Sequence, residues 1–213
     1  MDISELERYR QQFEQVKIQA NELTAGLDEA LFNWRPAPNQ WSIEECLAHL
    51  TIAGQWELRE IEKAIDEAKA RGLTGSGPFR YGKIDRFLVR MTEPPVRRKV
   101  PAPRRFRPLH GQPLTAVVPT FLHLQSQFIQ QIQQAEGLDL ARVKVVTPIS
   151  RFIRMSLGMM FAQAAAHERR HLAQASSSPT TKRPTPTNML ILPFEDIRFA
   201  FCKSHHITEW KTS

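Results

Sequence analysis

Two histidines four residues apart, His167 and His171, stand in the run His167-Glu168-Arg169-Arg170-His171. On an α-helix, positions i and i+4 share a face with Cβ atoms about 5–6 Å apart, a spacing at which two imidazoles can close on one divalent ion. Ala164 and Met160 continue that face back along the chain, so the pair is expected to point inward. A third histidine, His49, projects near Cys46, Ala53 and Trp56 at the edge of a separate apolar stripe. An inward imidazole on one helix can complete a set with the pair on another. Taken singly, each has the plainer reading of a hydrogen-bonded core histidine; the three together point to a metal.

The same run is literally H-E-x-x-H, the helix signature of zincin proteases, with Glu168 in the place of the general base. A zincin takes its third ligand downstream, where Glu195 is the obvious candidate, and uses a sheet edge to align its peptide, yet no convincing sheet precedes the motif. Glu168, beside Arg169 and Arg170, is equally suited to a surface ion pair. Two cysteines, Cys46 and Cys202, exclude a disulfide framework, and Cys46 reads as a packed thiol. His205 and His206 read as an exposed pair.

The elements that must carry these residues are helical. Leu6, Tyr9, Phe13, Val16, Ala20 and Leu23 step by three and four, which predicts a first helix with Ile18 on its polar side. Prolines interrupt the loop from Trp34 to Trp41, after which Ser42 and Glu45 form a capping-box pattern that opens a second helix reaching about Ala70. Ile43, Leu47, Leu50, Leu58, Ile61 and Ile65 form its stripe. A third helix is expected from Leu114 to about Ala135 and a fourth from about Ile149 to Gln174. The stretch between the second and third is too long for a hairpin turn and implies a crossover, with a short helix over Tyr81–Met91 carrying Ile84, Phe87, Leu88 and Met91. An all-α four-helix bundle over residues 1–175 follows, with residues 176–213 as a low-complexity linker and apolar tail.

The chain of 213 residues carries a net charge of +7 with 41% hydrophobic residues, ordinary values for one soluble domain. Its N-terminus is charged from Asp2 and lacks an apolar signal core, so a cytoplasmic location is the expectation. Met155 to Ala166 falls well short of the roughly 20 residues that a membrane span needs, and no membrane partner is expected. Residues 80–107 hold ten Lys/Arg against Asp85 and Glu93. Charge of this kind can neutralise phosphates, but with six prolines from Pro94 to Pro113 it reads as a solvated loop, and nucleic-acid binding is not expected.

The runs Trp34-Arg-Pro, Trp41-Ser-Ile-Glu-Glu-Cys-Leu-Ala-His49-Leu and His171-Leu-Ala-Gln174, the last joined to His167, resemble the DinB-like family in order and spacing over roughly residues 1 to 175. The resemblance implies an up-up-down-down bundle, often dimeric, with zinc, nickel or a similar ion held by His49, His167 and His171. It further implies an enzyme acting on a small molecule: family members include thiol S-transferases using bacillithiol, mycothiol or glutathione, and others are described as metal-dependent hydrolases. An acidic residue common in the family one turn after His49 is replaced by Ala53, with Glu57 a further turn away. Arg169 or Arg170 is placed to hold the carboxylates of a thiol cofactor.

Overall fold

The computed structural model describes residues 4–94, 101–148, 150 and 152–177, all within the unit Met1–Lys182. Six α-helices order them: α1 (Glu5–Thr24), α2 (Glu29–Phe32), α3 (Ile43–Ala70), α4 (Lys83–Thr92), α5 (Leu114–Gln134) and α6 (Leu157–Ser176). A two-stranded antiparallel ribbon, β1 (Lys144–Val146) with β2 (Arg154–Ser156), leads into α6. None of these helices is long and apolar enough to cross a membrane.

Helix boundaries follow from local chemistry. The Ser42 hydroxyl accepts from the Glu45 N–H while the Glu45 carboxylate accepts from the Ser42 N–H, both at 3.1 Å, so two donors of the first turn of α3 are satisfied where the chain leaves its proline loop. Arg35 clamps the same carboxylate through two nitrogens, at 2.6 and 2.5 Å, and ties the loop to the helix start. The expected stripes are buried: Tyr9, Phe13, Val16 and Ala20 on α1, and Ile43, Leu47, Leu50, Leu58, Ile61 and Ile65 on α3. Ile18 is exposed, as its position in the pattern implied.

α1 and α3 each pack on both α5 and α6. At one end of the bundle, Val16 and Ala20 late in α1 meet Ile43 and Leu47 early in α3, Val117 and Phe121 early in α5, and Leu172 and Ala175 late in α6. At the other end Tyr9 and Phe13 gather with Ile61, Ile65, Phe128, Ile132, Met160 and Phe161. α1 and α6 therefore run one way and α3 and α5 the other. This up-down-down-up order corrects the up-up-down-down order that the resemblance implied. Its physical reason is the single long connection: parallel α3 and α5 need a chain that travels back along the bundle, and residues 71–113 supply it, whereas the shorter links before α3 and after α5 only reverse direction.

The fourth long helix starts later than its periodicity suggested. Arg154–Ser156, expected to be helical, instead pair with Lys144–Val146, and the Asp85 carboxylate on α4 accepts from the Ser156 N–H at 3.2 Å and its hydroxyl at 2.5 Å. That carboxylate fixes Ser156 in extended backbone and so sets the first residue of α6. Helix α6 also runs to Ser176, one residue into the segment expected as linker; residues 178–213, with Glu195, Cys202, His205 and His206, lie outside the described residues.

Candidate metal centre

His49 lies in the second turn of α3, and His167 and His171 lie in the last three turns of α6. Because α3 and α6 are antiparallel neighbours, an early position on one meets late positions on the other. The three imidazoles come together, each offering a ring nitrogen, and these nitrogens all lie within 4.8 Å of one another. The rings are mutually edge-on, with centroids 5.2 Å (His49 to His167), 4.7 Å (His49 to His171) and 4.9 Å (His167 to His171) apart.

Hydrogen bonds choose which nitrogens face inward. His49 Nδ1 lies 2.7 Å from the Phe106 carbonyl oxygen, which can only accept, so the proton sits on Nδ1 and Nε2 keeps its lone pair. That Nε2 is 3.3 Å from Nε2 of His167. His171 Nδ1 meets the Gln174 side-chain oxygen at 3.1 Å, one turn on, which likewise frees its Nε2. Burial is the main force lowering the basicity of all three, and neighbouring imidazoles and Arg170 add to it for the pair on α6: His49 lies below the ordinary histidine value, His167 falls to about 3 and His171 to about 2. All three are neutral near pH 7, the form that ligates.

The donor set fits a divalent ion. Zn–N bonds of about 2.0–2.1 Å in a tetrahedral site place two nitrogens about 3.3 Å apart, the separation found between His49 and His167. Trp41 closes one side, its ring centroid 4.8 Å from that of His49 and 5.7 Å from that of His171.

The crossover segment reaches the centre at Phe106. A short 3-10 turn, Arg104–Phe106, places that carbonyl. It is pinned by the buried Phe106 ring against Trp56 (6.2 Å), by the Arg105 guanidinium over both rings, and by Arg105 donating to the Pro148 carbonyl at 2.6 Å. Downstream, the Gly111 N–H and the Gln112 amide donate to buried Glu44. The part of the basic segment that was read as a solvated loop is thus anchored on α3. No local sequence signal marks Phe106, which is 57 residues from His49; Gln174, at i+3 from His171, was legible from helical spacing alone.

Other candidates resolve differently. Glu168 is not on the surface: it is buried, its Oε1 accepts from the Gln125 amide at 3.3 Å, and its other oxygen and the Gln125 carbonyl oxygen have no hydrogen-bond partner among the described residues. Burial pushes Glu168 up to about 8, with Glu57 close enough to add to the shift, and burial pushes Glu57 up to about 8 as well. The base of a zincin reading is therefore turned into the bundle interior toward α5. Ala53 is buried core. Burial raises the Cys46 thiol, which leaves it a packed side chain. Arg169 is occupied by Glu93 and Gln12.

Fold and site together describe a helical bundle whose core end gathers three neutral imidazoles in a set able to hold a divalent metal. The sequence profile of the DinB superfamily matches residues 12–175, and the chain belongs to that superfamily. No curated protein and no solved structure matches the chain.

Proposed function

We propose that this protein is a divalent-metal-dependent thiol S-transferase, with His49, His167 and His171 as ligands of zinc or nickel and a low-molecular-weight thiol and a small electrophile as substrates. The observation that carries the metal reading is the convergence of three ring nitrogens within 4.8 Å from two helices, two of them with Nδ1 held by a hydrogen bond. An ion with three protein ligands keeps an open position, where it supplies Lewis acidity and lowers the pKa of a bound thiol.

The chain's own groups do the rest. Trp41 gives the cluster an apolar wall that excludes water and presents a face to the electrophile. In this reading Arg170, whose charge is felt by both His167 and His171, holds a carboxylate of the thiol. In the transfer, the thiol gives its proton to solvent, its sulfur bonds to the electrophilic carbon, and the leaving group departs with the electron pair of the broken bond. The pocket's contribution is orientation, since a bound thiolate is less nucleophilic than a free one.

The test is a conjugation assay of metal-loaded protein with bacillithiol, mycothiol and glutathione against a panel of electrophiles, beside His171→Ala. Turnover with one thiol and its loss in the variant support the reading. Equal rates for both proteins remove the metal-centred mechanism, and metal-dependent ester or amide cleavage without conjugation assigns the same three histidines to a hydrolase.

A further inference from the structure

Helix α4 lies on α6, and nine of its ten residues sort into three parallel rows, with half-buried Val89 flanking the inward one. Successive residues turn by about 100°, so positions i, i+3 and i+7 share a face. The row Asp85, Leu88 and Thr92 faces the bundle: Asp85 is buried against Ser156, Leu88 packs on the core, and the Thr92 hydroxyl accepts from Gln163 at 2.7 Å. The row Ile84, Phe87 and Met91 faces outward, with 71%, 60% and 58% of each residue exposed. The row Lys83, Arg86 and Arg90 is exposed beside it. None of those three cations pairs with an acid among the described residues, and the two local acids, Asp85 and Glu93, are engaged with Ser156 and Arg169.

A single exposed apolar residue needs no explanation, but an unbroken row of three flanked by an unbroken row of cations does. The surface is a convex ridge, not a groove, so its occupant must yield around it and must carry negative charge. A second copy of this chain offers neither: a two-fold contact brings the same acid-free patch to itself and leaves all the cations unpaired. We propose that α4 is a docking helix for an anionic lipid surface, with Ile84, Phe87 and Met91 entering the acyl boundary and Lys83, Arg86 and Arg90 meeting headgroup phosphates. Such peripheral binding needs no spanning segment. The sequence-based expectation of no membrane partner rested on spanning alone, and in the sequence Ile84, Phe87, Leu88 and Met91 read as one apolar set; the structure separates Leu88, which faces inward, from the other three.

The experiment is co-sedimentation of the full chain with vesicles of phosphatidylglycerol and phosphatidylcholine in equal parts, against pure phosphatidylcholine, at 0.15 M and 0.5 M salt. Two variants are compared, both at exposed positions, I84S/F87S/M91S and K83Q/R86Q/R90Q, with the melting temperature of each measured to verify that its fold is intact. Binding is expected to the anionic vesicles only. With each cation near an anionic surface contributing about fivefold, the glutamine variant loses about a hundredfold, and the serine variant loses binding to a similar degree. Serine-variant binding equal to wild type means simple adsorption of a basic chain and overturns the proposal. So does equal binding to neutral vesicles, no vesicle binding at all, or a dimer mass in solution that the serine variant abolishes.

Discussion

The ring of His49 and the carbonyl oxygen of Phe106 are joined at 2.7 Å by the hydrogen bond that decides which nitrogen of His49 is free. A residue in the crossover thus sets the tautomer of a residue on α3, and the connection that closes the bundle also completes the site. Partners of this kind typically change metal affinity 10–100-fold when they are lost.

Phe106→Ala removes the buried ring that anchors the turn. The expected outcome is a stability loss of about 3 kcal/mol, at the lower end for a buried Phe, together with a zinc dissociation constant raised about tenfold or more. Phe106→Leu, which keeps a buried anchor, retains most of the affinity. Calorimetric titration of zinc into each folded variant checks this. A destabilised Phe106→Ala protein with wild-type affinity would show that the Phe106 ring is not what holds the residue-106 carbonyl on His49.

Arg170 and Trp41 are expected to act on different substrates at the proposed centre. Arg170→Gln should raise KM for the thiol about tenfold with kcat little changed, the loss of one charge-assisted contact of about 1.5 kcal/mol. Trp41→Ala should instead lower kcat/KM for apolar electrophiles and spare KM for the thiol. If Arg170→Gln leaves the thiol KM where it was, the carboxylate of the cofactor is held elsewhere.

Much of this was legible in the sequence, and the part that was not has a physical reason. Helical spacing alone placed Phe13, Val16, Leu47 and Ile61 inward, because a stripe needs only local periodicity. The i, i+4 relation put His167 and His171 on one face, and the motif order brought in His49. The direction of the helices was also implicit: one long connection, between α3 and α5, makes those two parallel and leaves the other neighbours in sequence antiparallel. Long-range polar contacts were hidden. Nothing near Ser156 announces that Asp85, 71 residues earlier, ends the strand there, and Glu168 beside two arginines carries the local signature of a surface acid although Gln125 draws it inward.

Gly54 lies on α3 directly against Leu124 and Phe128 of α5. A Cβ at that position would stand 2.6 Å from Leu124 Cδ2 and 3.2 Å from Phe128 Cε2, both on fully buried side chains. Gly54→Val is expected to cost about 1–2 kcal/mol, since overpacking of about 1–3 kcal/mol outweighs the modest gain in helix propensity over glycine. Urea unfolding followed by circular dichroism measures it. Stability equal to wild type would mean that the two helices separate without penalty.

Glu57 makes stability depend on pH in a direction opposite to that of a paired carboxylate. Burial pushes its folded-state pKa up to about 8, while in the unfolded chain a glutamate titrates near about 4.3. Between these values the folded protein holds a proton that the unfolded chain has released, so the unfolding free energy falls as pH rises. The contribution is fully present below about pH 4.3 and is lost by the time pH passes the folded value of about 8. The limiting slope for one such group is about 1.4 kcal/mol per pH unit. Glu57→Gln removes the titration while keeping the shape, so in metal-free protein the variant and wild type should be similar in stability near pH 4.5 and diverge progressively, with the variant more stable, up to pH 8. Chemical denaturation at half-unit pH steps reads the difference directly, and a gap that stays constant from pH 5 to 8 would show that the Glu57 carboxyl is ionised in the folded protein.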